Sequence, residues 1–229
     1  CNNNFLWIGV KLLFKNIRSK IIIIFTSLTM VSCASTGYLV ENFDEYQSNH
    51  ETVAILPVDV KINLANQAKG ITQDDLENKE KNDSLVYQKL LQSKFLARFR
   101  KGAYTVSFQD VGDTNTLLKR NNAFDENGKI NKTKIELNEF LKTDAILTTS
   151  ISLSKPMSQG GAIVTGLLFG VGSANKADIT VNIHDGKTGI LIWDYETTLE
   201  GLAFSNQDQL VRSLVSNVSG TFPYKKKKK

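Results

Sequence analysis

The chain has 229 residues, 41% of them hydrophobic and 22% charged, a globular rather than disordered composition. Its formal charge of +5 is unevenly placed: nine of the 28 basic residues lie before Cys33 or in Lys225–Lys229, and none of the 23 acidic residues does. The body between them therefore carries about −4, which excludes bulk nucleic-acid binding through a basic face.

The first twelve residues contain no Met and precede a well-formed export signal, so residues 1–12 are expected to be upstream translation, with the start at Leu12 or Leu13. Residues 13–32 read as a signal peptide. Lys15, Arg18 and Lys20 make a positive region, and Ile21–Val31 make an apolar run of about eleven residues, short of the roughly 20 a spanning helix needs. Met30-Val31-Ser32-Cys33 follows as a lipobox: an apolar residue, a tolerated one, a small one, and a Cys whose thiol accepts a diacylglyceryl group. Cys33 is thus the expected lipidation site, and its acyl lipid is the only prosthetic group expected. Ala34, Ser35, Thr36 and Gly37 include no Asp next to the Cys and no early acidic run. That favours the periplasmic face of an outer membrane over the inner membrane or the cell surface. Cys1 and Cys33 both lie outside the body, so neither a disulfide framework nor a Cys-based metal site is expected there. His50 and His184 are too far apart in sequence to suggest a metal cluster.

Residues 33–52 are polar with scattered aromatics and predict a lipidated tether. Val53–Val60 is β-branched and apolar and predicts a buried strand, with Pro57 marking an end or irregular edge. Lys61–Lys81 predicts a loop entering a helix. Ser84–Phe99 spaces Leu85, Leu90, Leu91, Phe95, Leu96 and Phe99 as a helix does, with Asp83 or Ser84 as the cap. Ala103–Phe108 alternates as a half-buried strand. Thr114–Arg120 predicts a second helix, Asp125–Gly128 a turn, and Thr133–Leu141 a short amphipathic helix.

Three strands are then expected, Ala145–Leu153, Ala177–His184 and Ile190–Leu199. The last two are joined by the hairpin signal Asp185-Gly186-Lys187-Thr188-Gly189. Asp208–Val218 sets five apolar residues on one helical face, and Pro223 stops it. The order βαβααβββα predicts one α/β sandwich over residues 53–224, with a mixed sheet and a late antiparallel hairpin. Trp193 is expected to be a core or interface anchor. Lys225–Lys229 is expected to be a basic, solvated tail.

Four fragments carry a family resemblance: the opening strand V-A-I-L-P-V (Val53–Val58), Thr143-Asp144-Ala145-Ile146-Leu147, the hairpin D-G-K-T-G-x-x-x-W (Asp185–Trp193), and Phe222-Pro223-Tyr224 after the last helix. In this order, behind a lipobox, they resemble the CsgG-like lipoproteins, a superfamily that includes CsgG, LpoB, PelC and the N-terminal domain of TolB. The likeness covers about residues 53–224, and its nearest look is to small members of unassigned role. It implies a non-enzymatic envelope protein: a periplasmic adaptor or assembly factor that binds protein partners and can self-associate. The alternative it implies is an oligomeric ring or pore component of an outer-membrane secretion or export system.

The remaining motifs argue for the same absence of catalysis. The glycines of 160–172 lack a Walker Lys-Ser or Lys-Thr, and the Asp125–Gly128 region puts Ala123 and Lys134 where a calcium loop needs acids. His184 beside Asp185 has no nucleophile motif with it and reads as part of a hairpin turn. The apolar, glycine-rich stretch Ala162–Ala174 is the expected contact segment toward a membrane or partner, through Ile163, Val164, Leu167, Leu168 and Phe169. It lacks the in–out alternation of a membrane-barrel strand.

Overall fold

Residues 36–63, 72–154, 176–200 and 206–226 are described by the structure, a computed structural model. Within them the elements are β1 (Thr36–Leu39), α1 (Phe43–Asn49), β2 (Thr52–Ile55), β3 (Asp59–Asn63), α2 (Gln73–Arg100), β4 (Ser107–Phe108), α3 (Val111–Arg120), α4 (Lys134–Leu141), β5 (Ala145–Ser154), β6 (Lys176–Asp185), β7 (Leu191–Glu200) and α5 (Gln207–Thr221). The strands form one sheet in the order β1-β7-β6-β5-β2-β4, with β3 pairing β5 beyond the end of β2. Pairing is antiparallel for β1–β7, β6–β7 and β5–β6, and parallel where β2 and β3 meet β5 and where β4 meets β2. This is the α/β sandwich with a mixed sheet and late hairpin that the sequence predicts.

Alternation along the strands divides the core in two, because successive side chains point to opposite faces. Val53 and Ile55 of β2, with Ala145 and Leu147 of β5, join the larger cluster with Tyr87, Leu91 and Phe95 of α2 and Leu210–Val218 of α5. Ala54, Leu56 and Ile146 face the other way, onto Leu118 of α3, Ala123, and Leu137 and Leu141 of α4. Trp193 is 3% exposed and sits in the larger core, edge-to-face with Phe222. The tip of the hairpin is as expected: Thr188 N–H and Oγ1 donate to the Asp185 carboxylate, and Gly189 N–H donates to the Asp185 carbonyl.

Five boundaries differ from the sequence expectation. The stretch read as tether carries β1 and α1, and Phe43 and His50 within it are buried. Short, polar and Gly-containing, β1 has little signal of its own; its pairing with β7 makes it a strand. Val53–Val60 is two strands, not one. The chain leaves the sheet at Leu56–Pro57–Val58 and rejoins it as β3, whose Val60 and Ile62 are buried between exposed Asp59, Lys61 and Asn63. Ala103–Phe108 contributes only the two-residue β4, and Tyr104 bridges to Lys225 instead.

The long helix starts eleven residues before the predicted one. Its cap is Thr72, whose Oγ1 accepts from Asp75 N–H while Asp75 accepts from Thr72 N–H, a closed capping box. Asp83, expected as a cap, lies buried inside α2, paired with Lys79 at 2.5 Å and accepting from Gln207 Nε2 of α5. In the expected basic tail, Lys226 N–H donates to the Ala103 carbonyl, so its first residues belong to the fold.

Candidate functional site

The four family-like fragments are distant in sequence, and the fold brings them to one place. Asp144, just ahead of β5, accepts from the N–H groups of Glu51 and Thr52 through Oδ2, fixing the entry to β2. Its carbonyl takes the Gly186 N–H at 2.8 Å, which ties the hairpin turn to the same point. Beside this, His50 Nδ1 lies 2.5 Å from Tyr224 Oη, and His50 Nε2 lies 3.0 Å from Asp185 Oδ1. Phe43 meets the Tyr224 ring edge-on at 5.3 Å between centroids.

Charge fixes the direction of each hydrogen bond. Burial alone pushes the Asp185 carboxyl up, but hydrogen bonds from Thr188 and His50 outweigh it and hold it below the ordinary value. Burial pushes the Tyr224 phenol up, and the Asp185 and Asp144 charges push it further, so it keeps its proton. The ionised Asp185 can only accept, so Nε2–H donates to it, and in that neutral tautomer Nδ1 accepts from Tyr224 O–H. The result is a Tyr–His–Asp relay of the kind that activates a hydroxyl in nucleophilic catalysis. Here it is sealed: Tyr224 is 0%, His50 7% and Asp185 6% exposed. The phenol is closed off from solvent, and the relay clasps three segments together.

His184 is the other half of the sequence pair, and it points away from Asp185, as neighbours on a strand do. It lines an open cleft of about 690 Å³ where the chain leaves the sheet between β2 and β3. Thr148, Asn182 and His184 contribute from the sheet, Pro57 and Val58 from the crossing segment, and Ile130 and Lys134 from the wall near α4. Burial lowers His184 to about 4, with the Lys134 charge adding to the effect, so the ring is neutral at pH 7. Its Nδ1 is buried and has no hydrogen-bond partner among the described residues. Lys134 is itself lowered by burial. The rim is balanced, with Lys61 near Glu80 and Lys129 near Asp59 at 3.7 and 3.4 Å. Among the described residues no three His, Cys, Asp or Glu side chains gather as a metal site, and no helix is long and apolar enough to cross a membrane.

Cys33 and the predicted contact residues Ile163, Val164, Leu167, Leu168 and Phe169 lie outside the described residues, as does the boundary between residues 12 and 13. Sequence reasoning missed the His50–Tyr224–Asp185 clasp. The one available signal was the presence of Asp185 and Tyr224 in two of the four fragments. His50, in a supposed tether, had none.

No protein-family model matches the chain, and no curated sequence matches it. Solved structures similar to it include the lipoprotein GNA1162 of Neisseria meningitidis, 13% identical over 75% of this chain and 97% of that one, at a TM-score of 0.42. A PelC dodecamer from Paraburkholderia phytofirmans is 12% identical over 85% of this chain and 99% of its own, also at 0.42. The LpoB C-terminal domain of Salmonella enterica is 9% identical over 66% of this chain and 84% of its own, at 0.34. At these identities and scores the likeness singles out no subfamily and transfers no activity.

Proposed function

We propose that the chain is a lipid-anchored protein of the bacterial cell envelope that acts without catalysis, as an adaptor or assembly factor for protein partners at the periplasmic face of the outer membrane. The observation that carries this reading is the run from Lys15 to Cys33: basic residues, a short apolar segment, and Met30-Val31-Ser32-Cys33 at its end. Transfer of a diacylglyceryl group would make the Cys33 thiol a thioether, and buried acyl methylenes at roughly 0.8 kcal/mol each would hold the protein on the membrane. The sealed relay supports the non-catalytic part, because its Tyr224 hydroxyl is the only one aligned with a His–Asp pair among the described hydrogen bonds and is fully covered. A fatty-acid probe fed to cells should label the wild type and leave Cys33→Ser unlabelled. Equal labelling of both would remove Cys33 as the anchoring residue, and no labelling of the wild type would remove the anchor and, with it, the assignment to the membrane.

A further inference from the structure

Seven large hydrophobic side chains are exposed among the described residues, and five of them belong to one corner of the fold: Tyr38, Leu39, Ile135, Ile190 and Leu191. Tyr38 and Leu39 end β1, the edge strand among the described residues; as strand neighbours they project to opposite sides of that edge, each half exposed. Leu39 pairs with Trp193 of β7, and Val40 N–H donates to the Ile192 carbonyl, so the end of β1 lies beside the start of β7, where Ile190 and Leu191 stand. Ile135 reaches the same turn, its Cγ1 lying 3.1 Å from where a side chain on Gly189 would begin. Tyr38, Leu39, Ile135 and Ile190 are each about half exposed. Soluble surfaces carry single apolar residues freely, but a gathered set marks a surface that meets something.

We propose that this corner docks on the lipid surface, with Tyr38, Leu39 and Ile190 entering the headgroup layer of the membrane that holds Cys33. The inference rests on the lipidation reading above, because chain length supplies the partner. Only Ala34 and Ser35 separate Cys33 from β1. Five residues of fully extended chain span at most about 17 Å, so an anchored Cys33 confines Tyr38 to within about that distance of the bilayer. Tyrosine, with an apolar ring and a polar tip, suits that depth. The edge of β1 that no described strand pairs also fits there, since hydrated headgroups can satisfy N–H and C=O groups that hydrocarbon cannot. Glu41, Glu45 and Glu196 are exposed around the patch, against Lys187 at the hairpin tip. An apolar patch with an acidic border matches a zwitterionic surface better than a strongly anionic one.

The chain from Cys33 onward, coupled through its thiol to maleimide lipid in phosphatidylcholine vesicles with brominated acyl chains, tests this. Coupling by chemistry supplies the anchor whether or not cells lipidate Cys33, so the docking and lipidation readings fail separately. The only native tryptophan in that chain, Trp193, is buried and gives a constant background. Leu39→Trp and Ile190→Trp should each lose emission to the bromolipid. Leu85→Trp, equally exposed but on α2, should not. Replacing part of the lipid with anionic phosphatidylglycerol should not increase the loss. Leu39→Trp and Ile190→Trp as bright as Leu85→Trp would overturn the proposal, as would quenching of all three alike or quenching that requires anionic lipid. Absent quenching with a doubled native mass would assign the corner to a second copy of the chain instead.

Discussion

At neutral pH the His184 ring is uncharged in the fold, because half-burial and the neighbouring Lys134 both oppose its proton. The unfolded chain has no such restraint, and its His184 takes a proton near the ordinary value of 6.5. Between pH 6.5 and 4 the unfolded state therefore binds the proton that the folded state refuses, and stability falls as pH falls. Below about 4 the folded ring is charged too and this loss stops growing. Allowing for solvent screening of a partly exposed ring, the loss should be about 1–2 kcal/mol. Urea unfolding from pH 7.5 to 4.5 checks it: His184→Gln should flatten this part of the pH dependence, and identical slopes would show that the ring titrates normally. Asp185, with its carboxyl held low, acts in a different window. Its contribution is complete above about 3.8 and fades as pH drops through its lower folded value.

Elements with a strong periodic pattern of their own were legible in the sequence. The helix around Leu210–Val218, the β5–β7 strands and the Asp185–Gly189 turn all lie where periodicity and turn chemistry put them. Those that exist only through a partner were not. β1 is four residues held by β7, and the first turns of α2, rich in Asp, Glu, Lys and Asn, show no apolar stripe. Thr72-x-x-Asp75 did mark that start, but no apolar run follows it to complete the usual signature. The hairpin turn is constrained by more than its own conformation. A Cβ on Gly186 would meet Asn138 Oδ1 and the Thr143 carbonyl at 2.7 Å each, one from α4 and the other from the approach to β5. Gly186→Ala should therefore cost about 2–3 kcal/mol by overpacking, read as a drop in thermal midpoint. An unchanged midpoint would mean that α4 yields without loss.

Across the whole molecule, fold class was readable because strand and helix patterns alternate in an order that few architectures satisfy. The clasp was not readable, since 174 residues separate His50 from Tyr224 and no local pattern links them. That separation also governs when the native state can form. A chain entering a new compartment N-terminus first presents His50 early, but Asp185 and Tyr224 arrive only when nearly the whole body has crossed. Contacts this far apart close late, because the loop between them must lose its freedom before they reward it. Chains stopped before Phe222 should stay open to protease digestion under conditions that leave the full-length chain resistant. Protection of the shortened chain would show that the clasp is dispensable. Because the clasp joins residues 50, 185 and 224, a chain made or moved N-terminus first cannot close it until Tyr224 is available.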